Sequence, residues 1–565
     1  MLSFGHMAAH NALRTEEIAR LRKRFAERKN EADKCPWKEL IDRPIASPRP
    51  LMDYHDLLLF ILAFPRDAEE HVTATYELDR VTGIAERMVQ RNKTHRLALY
   101  NSGLAGTTSC AHFSIDLTRW LTRSYLGNVT LDSFAGEEDT VRSLLVALAA
   151  PAEREAMDDT RHGTIDRLRS ASSGNPLPWL LSGIDDSTAS PLVRQAMWTS
   201  MKPYIELRSE RSLLSRTYCR GLTTEQFLWS EGLRRKVDSN EILRTPLGPP
   251  TKLTPGQRER AMTAARGVLI GYLRETDTST LGDPKAIEHF YMGQGIGITL
   301  LTLPPDRRTS LDSYIGYVAF SNSVPVAYGG AWIFPGKTKV GINVFPAFRG
   351  GPSGFLFAQI LRCYAQRFKV GCFEADNYQI GHGNADGIRS GAYWFYHRLG
   401  FRTTDPSLVP IELRELGTLQ NDRLHRTAPA VLRKLAAQPM RLALHVEHAP
   451  ITDPIDISEA VMHHLASLAD GDRKSAVDTC VKSVVGALDV RDVRSWPDDE
   501  RRAFEELAPA ISLIRDLEAW PSRKKLDLVR LMRSKGRTRE DRYIVALRDH
   551  DLLLRSWKEI LDGPH

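Results

Sequence analysis

A chain of 565 residues with 42% apolar and 26% charged side chains falls in the ordinary globular range, with room for roughly two to four domains, and its apolar content excludes a disordered chain. The net charge of +7 is a mild basic bias, compatible with anionic ligands and well short of a dedicated nucleic-acid-binding composition. Cys35, Cys110, Cys219, Cys363, Cys372 and Cys480 are scattered without a CxxC pair or a histidine at zinc spacing, so no disulfide framework and no metal site are expected.

The segment 1–50 begins without a charged n-region or an apolar h-region, so no secretory signal is expected and a cytoplasmic location is. Residues 14–29 form a charged helix with seven basic and three acidic side chains, either a solvated face or an arm for an anionic partner. The proline-rich 42–50 is a natural boundary. The run "LLLFILAF" (57–64) is far too short to cross a bilayer, so no membrane partner is expected, and it reads as a buried helix segment. From 51 to 243 the pattern is mainly helical, with apolar residues at three-and-four spacing in 114–126 and 140–157.

"RTPLGPPTKLTPG" (244–256) is the second boundary, with Thr254 as N-cap and Pro255 at the first helical position of the helix that follows. The pattern then changes to short β-branched runs over 295–345, then a helix, a strand "VGCFEADNYQI" (370–380) and a further helix "SGAYWFYHRL". Beyond 410 amphipathic helices run to the end, including a basic stretch at 521–542 with nine basic and three acidic residues. The expected fold is α+β: a mixed central sheet flanked by helices in a domain over 255–410, between a helical domain (51–243) and a C-terminal helical region (411–565).

Two glycine-rich stretches compete as anion loops. A phosphate held by backbone amides needs a helix N-terminus, with its unpaired N–H groups and its dipole. "MGQGIG" (292–297) runs into "ITLLTLPP", a strand, and supplies no such terminus. "FRGGPSG" (348–354) has a strand before it and a helix after it. Pro352 suits the first helical turn but removes one donor.

The order of elements around that loop resembles the GNAT superfamily of acyl-CoA-dependent N-acyltransferases, over roughly 290–405. Arg349 and Gly354 fit the ends of the family's pyrophosphate loop, with Pro352 in place of the inner glycine. Ala392, Tyr396, Gly400 and Phe401 in "AYWFYHRLGF" fit its later signature at full spacing. The resemblance implies that the strands before and after the loop helix splay apart, with the pantetheine of acetyl-CoA or another acyl-CoA between them. It implies that amides of Asn343, Val344 and Phe345 hold the pantetheine and polarise the thioester, and that amides of Arg349, Gly350, Gly351, Ser353 and Gly354 hold the pyrophosphate. It also implies that Tyr396 protonates the departing thiolate.

By strand alternation Cys372, Glu374 and Asp376 share a face; Asp376, then Glu374, are the candidate bases for a small-molecule or peptide amine acceptor. Either is also readable as a structural carboxylate. His382 lies in a glycine-rich loop, and Cys363 and Cys372 read as packing residues. The sequence departs from the family in the short connection 304–313, and in Arg389 where an asparagine is frequent. Two alternatives to the first function stand beside it: a non-catalytic scaffold of this fold, for which Pro352 and the short connection speak, and a transferase of the same fold using another donor such as aminoacyl-tRNA, to which the basic segments would contribute.

Overall fold

The computed structural model describes residues 13–27, 39–172, 174–222, 225–422, 424–444, 452–469 and 471–563. The chain divides into two compact units. The first takes the described residues up to Leu233, with Glu259–Leu281 and Ser321–Pro325; the second takes Arg234–Arg258, Gly282–Phe320 and the described residues from Val326 onward.

The first unit opens with the helix Thr15–Ala26, which buries Ile18 and Phe25 and pairs Glu17 with Arg43 at 2.8 Å. Residues 28 and 29 of the expected charged helix lie outside the described residues. "LLLFILAF" is buried as expected, mostly within the helix Pro48–Ala63. The segment 51–243 is mainly helical as expected, and within it three antiparallel strands, β1 (Thr107–His112), β2 (Val129–Phe134) and β3 (Pro203–Ser209), form a small sheet in the order β1-β3-β2. The period of β3 was legible: Ile205 and Leu207 point into the core while Tyr204 and Arg208 are exposed. The unit also ends earlier than expected, at Leu233, and recruits most of the helix Pro255–Gly271. That helix starts where the sequence placed it. Thr254 and Gln257 cap it reciprocally, the Gln257 N–H on Thr254 Oγ1 at 3.3 Å and the Thr254 N–H on Gln257 Oε1 at 2.8 Å.

The second unit is built on a nine-stranded sheet: β4 (Glu288–Gly293), β5 (Ile296–Thr302), β6 (Ser313–Ser321), β7 (Val324–Phe334), β8 (Lys337–Val340), β9 (Asn343–Val344), β10 (Cys372–Ala375), β11 (Arg402–Thr403) and β12 (Met440–Ala443). The order is β11-β12-β10-β8-β7-β6-β5-β4, with β9 on β7. The sheet is mixed, since β8 and β10 run parallel whereas β4–β5, β7–β8 and β10–β12 are antiparallel. "MGQGIG" is the β4–β5 hairpin: Gly293, Gln294 and Gly295 all take positive φ (83°, 52° and 69°), which explains the glycines without a ligand.

Residues 411–565 do not form a unit of their own, which corrects the boundary expected at 410. β12 inserts between β10 and β11, and the C-terminal helices share a core with β7 through Phe334, Phe504, Leu528 and Trp557. Buried Glu540 joins the same parts, accepting from Lys535 Nζ at 2.8 Å with Arg308 Nε at 3.2 Å. A strand of only four residues, paired with segments far away in sequence, carries no readable period.

Candidate active site

β8 and β9 pair with β7 in one unbroken register, Val340 opposite Ala331, Asn343 opposite Tyr328 and Val344 opposite Ala327. The Gly341 N–H reaches Gly330 O at 3.4 Å and the Phe345 N–H donates to Val326 O at 3.1 Å. Antiparallel ladders alternate, so the N–H groups of Ile342 and Val344 point away from β7. On that far side β10 accompanies β8 only through Thr338 and Lys339. Beyond Lys339 the two parallel strands separate, and the two amides face the gap. The same alternation corrects the expected thioester-binding trio: Asn343 and Phe345 direct their amides to β7, and Val344 alone offers one to the gap.

Tyr396 reaches this gap from the helix Ala392–Arg398, which Gly391 starts at φ +66°. Its ring packs edge-on against Phe357 and Phe401 at 5.5 and 5.3 Å, and 2% of the residue is exposed. The hydroxyl meets no partner within bonding geometry among the described residues. Burial pushes the phenol well above the ordinary tyrosine range, while the backbone N–H of Ile342 acts in the opposite sense. The proton is therefore retained and uncommitted beside the first of the two gap-facing amides. Alongside, Tyr317 donates to Gly341 O at 2.8 Å, and Gly329 admits this ring because a Cβ there would lie 2.7 Å from its oxygen.

The glycine loop departs from the expected anion cradle. The Arg349 N–H donates to Pro346 O (3.3 Å), that of Gly351 to Phe348 O (3.1 Å) and that of Ser353 to Gly351 O (2.9 Å), and Pro352 has none. These three amides are turned inward, so of those expected to hold a pyrophosphate only the amides of Gly350 and Gly354 lack an acceptor among the described residues. Gly350 is required by its φ of +87°. Sequence reasoning missed what lies against the loop: Arg235 donates to Gly350 O at 3.2 Å and the Arg234 guanidinium lies 5.5 Å from the Phe355 ring centroid. The run "RRK" at 234–236 was visible in the sequence, but nothing local tied it to a loop more than a hundred residues away.

On the other side of Gly341 opens a cavity of ≈ 430 Å³ whose walls include Asp312, Tyr314, Trp332, Lys337, Asp376 and Asp453. Tyr314 stacks on Trp332 with centroids 4.5 Å apart, an approach that Gly330 permits because a Cβ there would sit 2.6 Å from the Tyr314 ring. Lys337 Nζ binds Asp453 at 2.5 Å. Burial works against the Asp453 carboxylate, but the Lys337 ammonium, the Ile455 N–H and the charge of Lys339 together outweigh it and hold the carboxyl below its ordinary range.

The two candidate bases separate here. Glu374 is buried, accepts from Arg441 Nε at 3.0 Å and lies 3.9 Å from Lys337 Nζ, so it is a structural anion. Asp376 lines the cavity and is half-buried. The strand expected over 370–380 ends at Ala375, and Asp376 caps the helix Asn377–Ile380 by accepting from the Tyr378 N–H at 2.9 Å.

The remaining candidates fall outside the site. Arg389 is tied to Asp386, and His382 is an exposed loop residue. Cys363 is fully buried, which pushes its thiol above the ordinary range. In 521–542, Lys524, Lys525, Arg530, Arg533, Lys535, Arg537 and Arg539 all form internal ion pairs, so most of that basic stretch is neutralised within the fold. Among the described residues no helix is long and apolar enough to cross a membrane, and no cluster of His, Cys, Asp and Glu could hold a metal.

Fold and site together define an α+β unit with a mixed sheet that opens at its parallel pair. Comparison with known protein families, with curated proteins and with solved structures gave no match.

Proposed function

We propose that the second unit is an acyl-CoA-dependent N-acyltransferase domain of the GNAT type. The observation that carries the reading is the gap beyond Lys339, which the Ile342 and Val344 amides face and where the Tyr396 hydroxyl stands beside the Ile342 amide, an arrangement that suits the thioester site the resemblance implies. In this reading the acyl carbonyl accepts from the Val344 N–H, the one gap-facing amide not already beside Tyr396. An amine held in the cavity beside Gly341 attacks the carbonyl carbon and passes its proton to Asp376. The C–N bond forms, the C–S bond breaks, and Tyr396 protonates the leaving thiolate. The product is an amide and free coenzyme A.

Calorimetric titration with acetyl-CoA and longer acyl-CoAs tests this directly. Saturable binding is expected, and no heat at millimolar ligand overturns it. One observation favours a second reading, a non-catalytic scaffold: Pro352 and the inward-turned amides of Arg349, Gly351 and Ser353 leave the loop poor in donors. Binding without turnover of any amine tested would support that scaffold. An aminoacyl-tRNA donor is the less favoured alternative, since the basic stretch that would grip a tRNA spends most of its charge on internal pairs.

A further inference from the structure

Beside the glycine loop lies a second cavity of ≈ 490 Å³, formed by Lys236–Asn240 on one side and by His397, Arg398, Gly400 and Arg402 on the other. It is continuous with the loop. Val237 in its wall stands 3.7 Å from where a Cβ on Gly354 would lie, and the neighbouring Arg235 is bonded to Gly350 O. The cavity also begins one residue beyond Tyr396, on the same helix.

Its charge is predominantly positive, three cations against the one carboxylate of Asp238. Lys236, Arg398 and Arg402 come from separate positions on the wall, and among the described residues none of them pairs with a carboxylate. Arg402 donates to the carbonyls of His397 and Phe401 at 2.9 and 2.8 Å, which orients the guanidinium without neutralising it. Asp238, the acid in the lining, caps a helix through the N–H groups of Asn240 and Glu241 at 3.0 and 3.2 Å. His397 stays neutral: burial, followed by the fields of Arg402 and Arg398, pushes it down to about 4. Glu412 lies 3.5 Å behind it, outside the lining of the cavity. Three cations less the Asp238 carboxylate leave a net excess of two positive charges around one concave surface, which matches a dianionic group better than a bridging diester.

We propose that this cavity binds the ribose 3′-phosphate of coenzyme A, with Lys236, Arg398 and Arg402 as its ligands. The inference rests on the acyl-CoA reading above. It accounts for a loop that presents few amides: the grip on the cofactor comes from its terminal phosphomonoester more than from its pyrophosphate. The chemistry also excludes neutral or singly charged nucleotides as good ligands, because they leave the cations unmatched.

The test is calorimetric titration of the full chain with coenzyme A and with dephospho-coenzyme A, for the wild type and for the double variant Lys236→Ala/Arg398→Ala. The wild type should prefer coenzyme A by about tenfold or more, the worth of charge-assisted hydrogen bonds at a partly exposed site, and the preference should shrink with added salt. The double variant should bind both ligands alike, at the wild-type affinity for dephospho-coenzyme A. Both substitutions are at exposed positions, and an unchanged circular-dichroism melt checks that the fold survives. Equal binding of the two ligands by the wild type overturns the 3′-phosphate site alone. An unaltered preference in the double variant does the same. Binding of neither ligand overturns the acyl-CoA reading, and adenosine 3′-monophosphate against adenosine then judges the cavity by itself: equal or absent binding of that pair ends the proposal.

Discussion

Tyr396→Phe should leave the protein at least as stable as the wild type while removing most of its turnover. The hydroxyl is buried and, among the described residues, has no partner in good hydrogen-bond geometry, and an unsatisfied buried polar group costs about 1–3 kcal/mol. Deleting the oxygen removes that cost. The Ile342 N–H opposite it takes part of the gain back, because it then faces a ring edge, so the net expectation is a stabilisation of about 1 kcal/mol. The ring contacts with Phe357, Phe395 and Phe401 are retained by phenylalanine. Urea unfolding followed by tryptophan fluorescence reads the first effect as a midpoint shift at constant slope. Steady-state assay with acetyl-CoA reads the second, a fall in kcat of about 10²–10⁴, with coenzyme A affinity held within about twofold. A structural tyrosine would behave in the opposite way, losing stability with its hydroxyl. Destabilisation by more than about 1 kcal/mol would refute the assignment of an idle proton to this position, and an unchanged kcat would remove it from the chemistry.

Three further outcomes follow from the same geometry. Asp376→Asn keeps an N-cap acceptor, so stability should change by less than about 0.5 kcal/mol while turnover falls; full activity would dismiss Asp376 as base. Glu374→Gln breaks the ion pair between buried Glu374 and the part-exposed Arg441 and should cost about 1–3 kcal/mol in unfolding experiments, and a cost below about 0.5 kcal/mol would show that the pair is not structural. Burial pushes His289 down to about 4, below the ~6.5 of an unfolded histidine, so its neutral form stabilises the fold above pH 6.5 and that contribution is lost as pH falls through 4. Between pH 7 and pH 5 this one residue should account for about 2 kcal/mol of lost stability, and His289→Gln should flatten the profile; parallel profiles for the two proteins would contradict the linkage.

How much of this was legible in the sequence depended on the range over which each feature is determined. Local features came through: the cap at Thr254, the loop helix after Pro352, the Tyr396 helix and the hairpin glycines all depend on neighbours within a turn or two. Features fixed by pairing across the chain did not. β12 is four residues whose partners are β10 and β11, and its insertion between them merges the C-terminal region into the sheet. The wall at Asp453 and the basic run at 234–236 reach the site from opposite ends of the second unit. Strand alternation put Glu374 and Asp376 together, yet the chain turns into a helix at Asp376 and gives the two carboxylates different surroundings.

Pro352 decides which part of the cofactor the protein holds. Pro352→Ala adds one N–H at the N-cap of the loop helix, the position that the resemblance assigns to a donor. If the loop grips the pyrophosphate, a new charge-assisted hydrogen bond should tighten coenzyme A by about 1.5–3 kcal/mol, or roughly tenfold to a hundredfold in Kd. If the loop stays as it stands, with Arg349, Gly351 and Ser353 donating to their own carbonyls, the added N–H finds no phosphate and affinity is unchanged. The second outcome is expected. The substitution should also cost about 0.4–1 kcal/mol of stability, because proline restricts the unfolded chain. Measuring coenzyme A and dephospho-coenzyme A together on this variant separates the two modes of grip. A gain common to both ligands would place the binding energy at the pyrophosphate and refute the inward-turned loop. Unchanged affinities with the preference for coenzyme A intact would place it with the cations around Arg398.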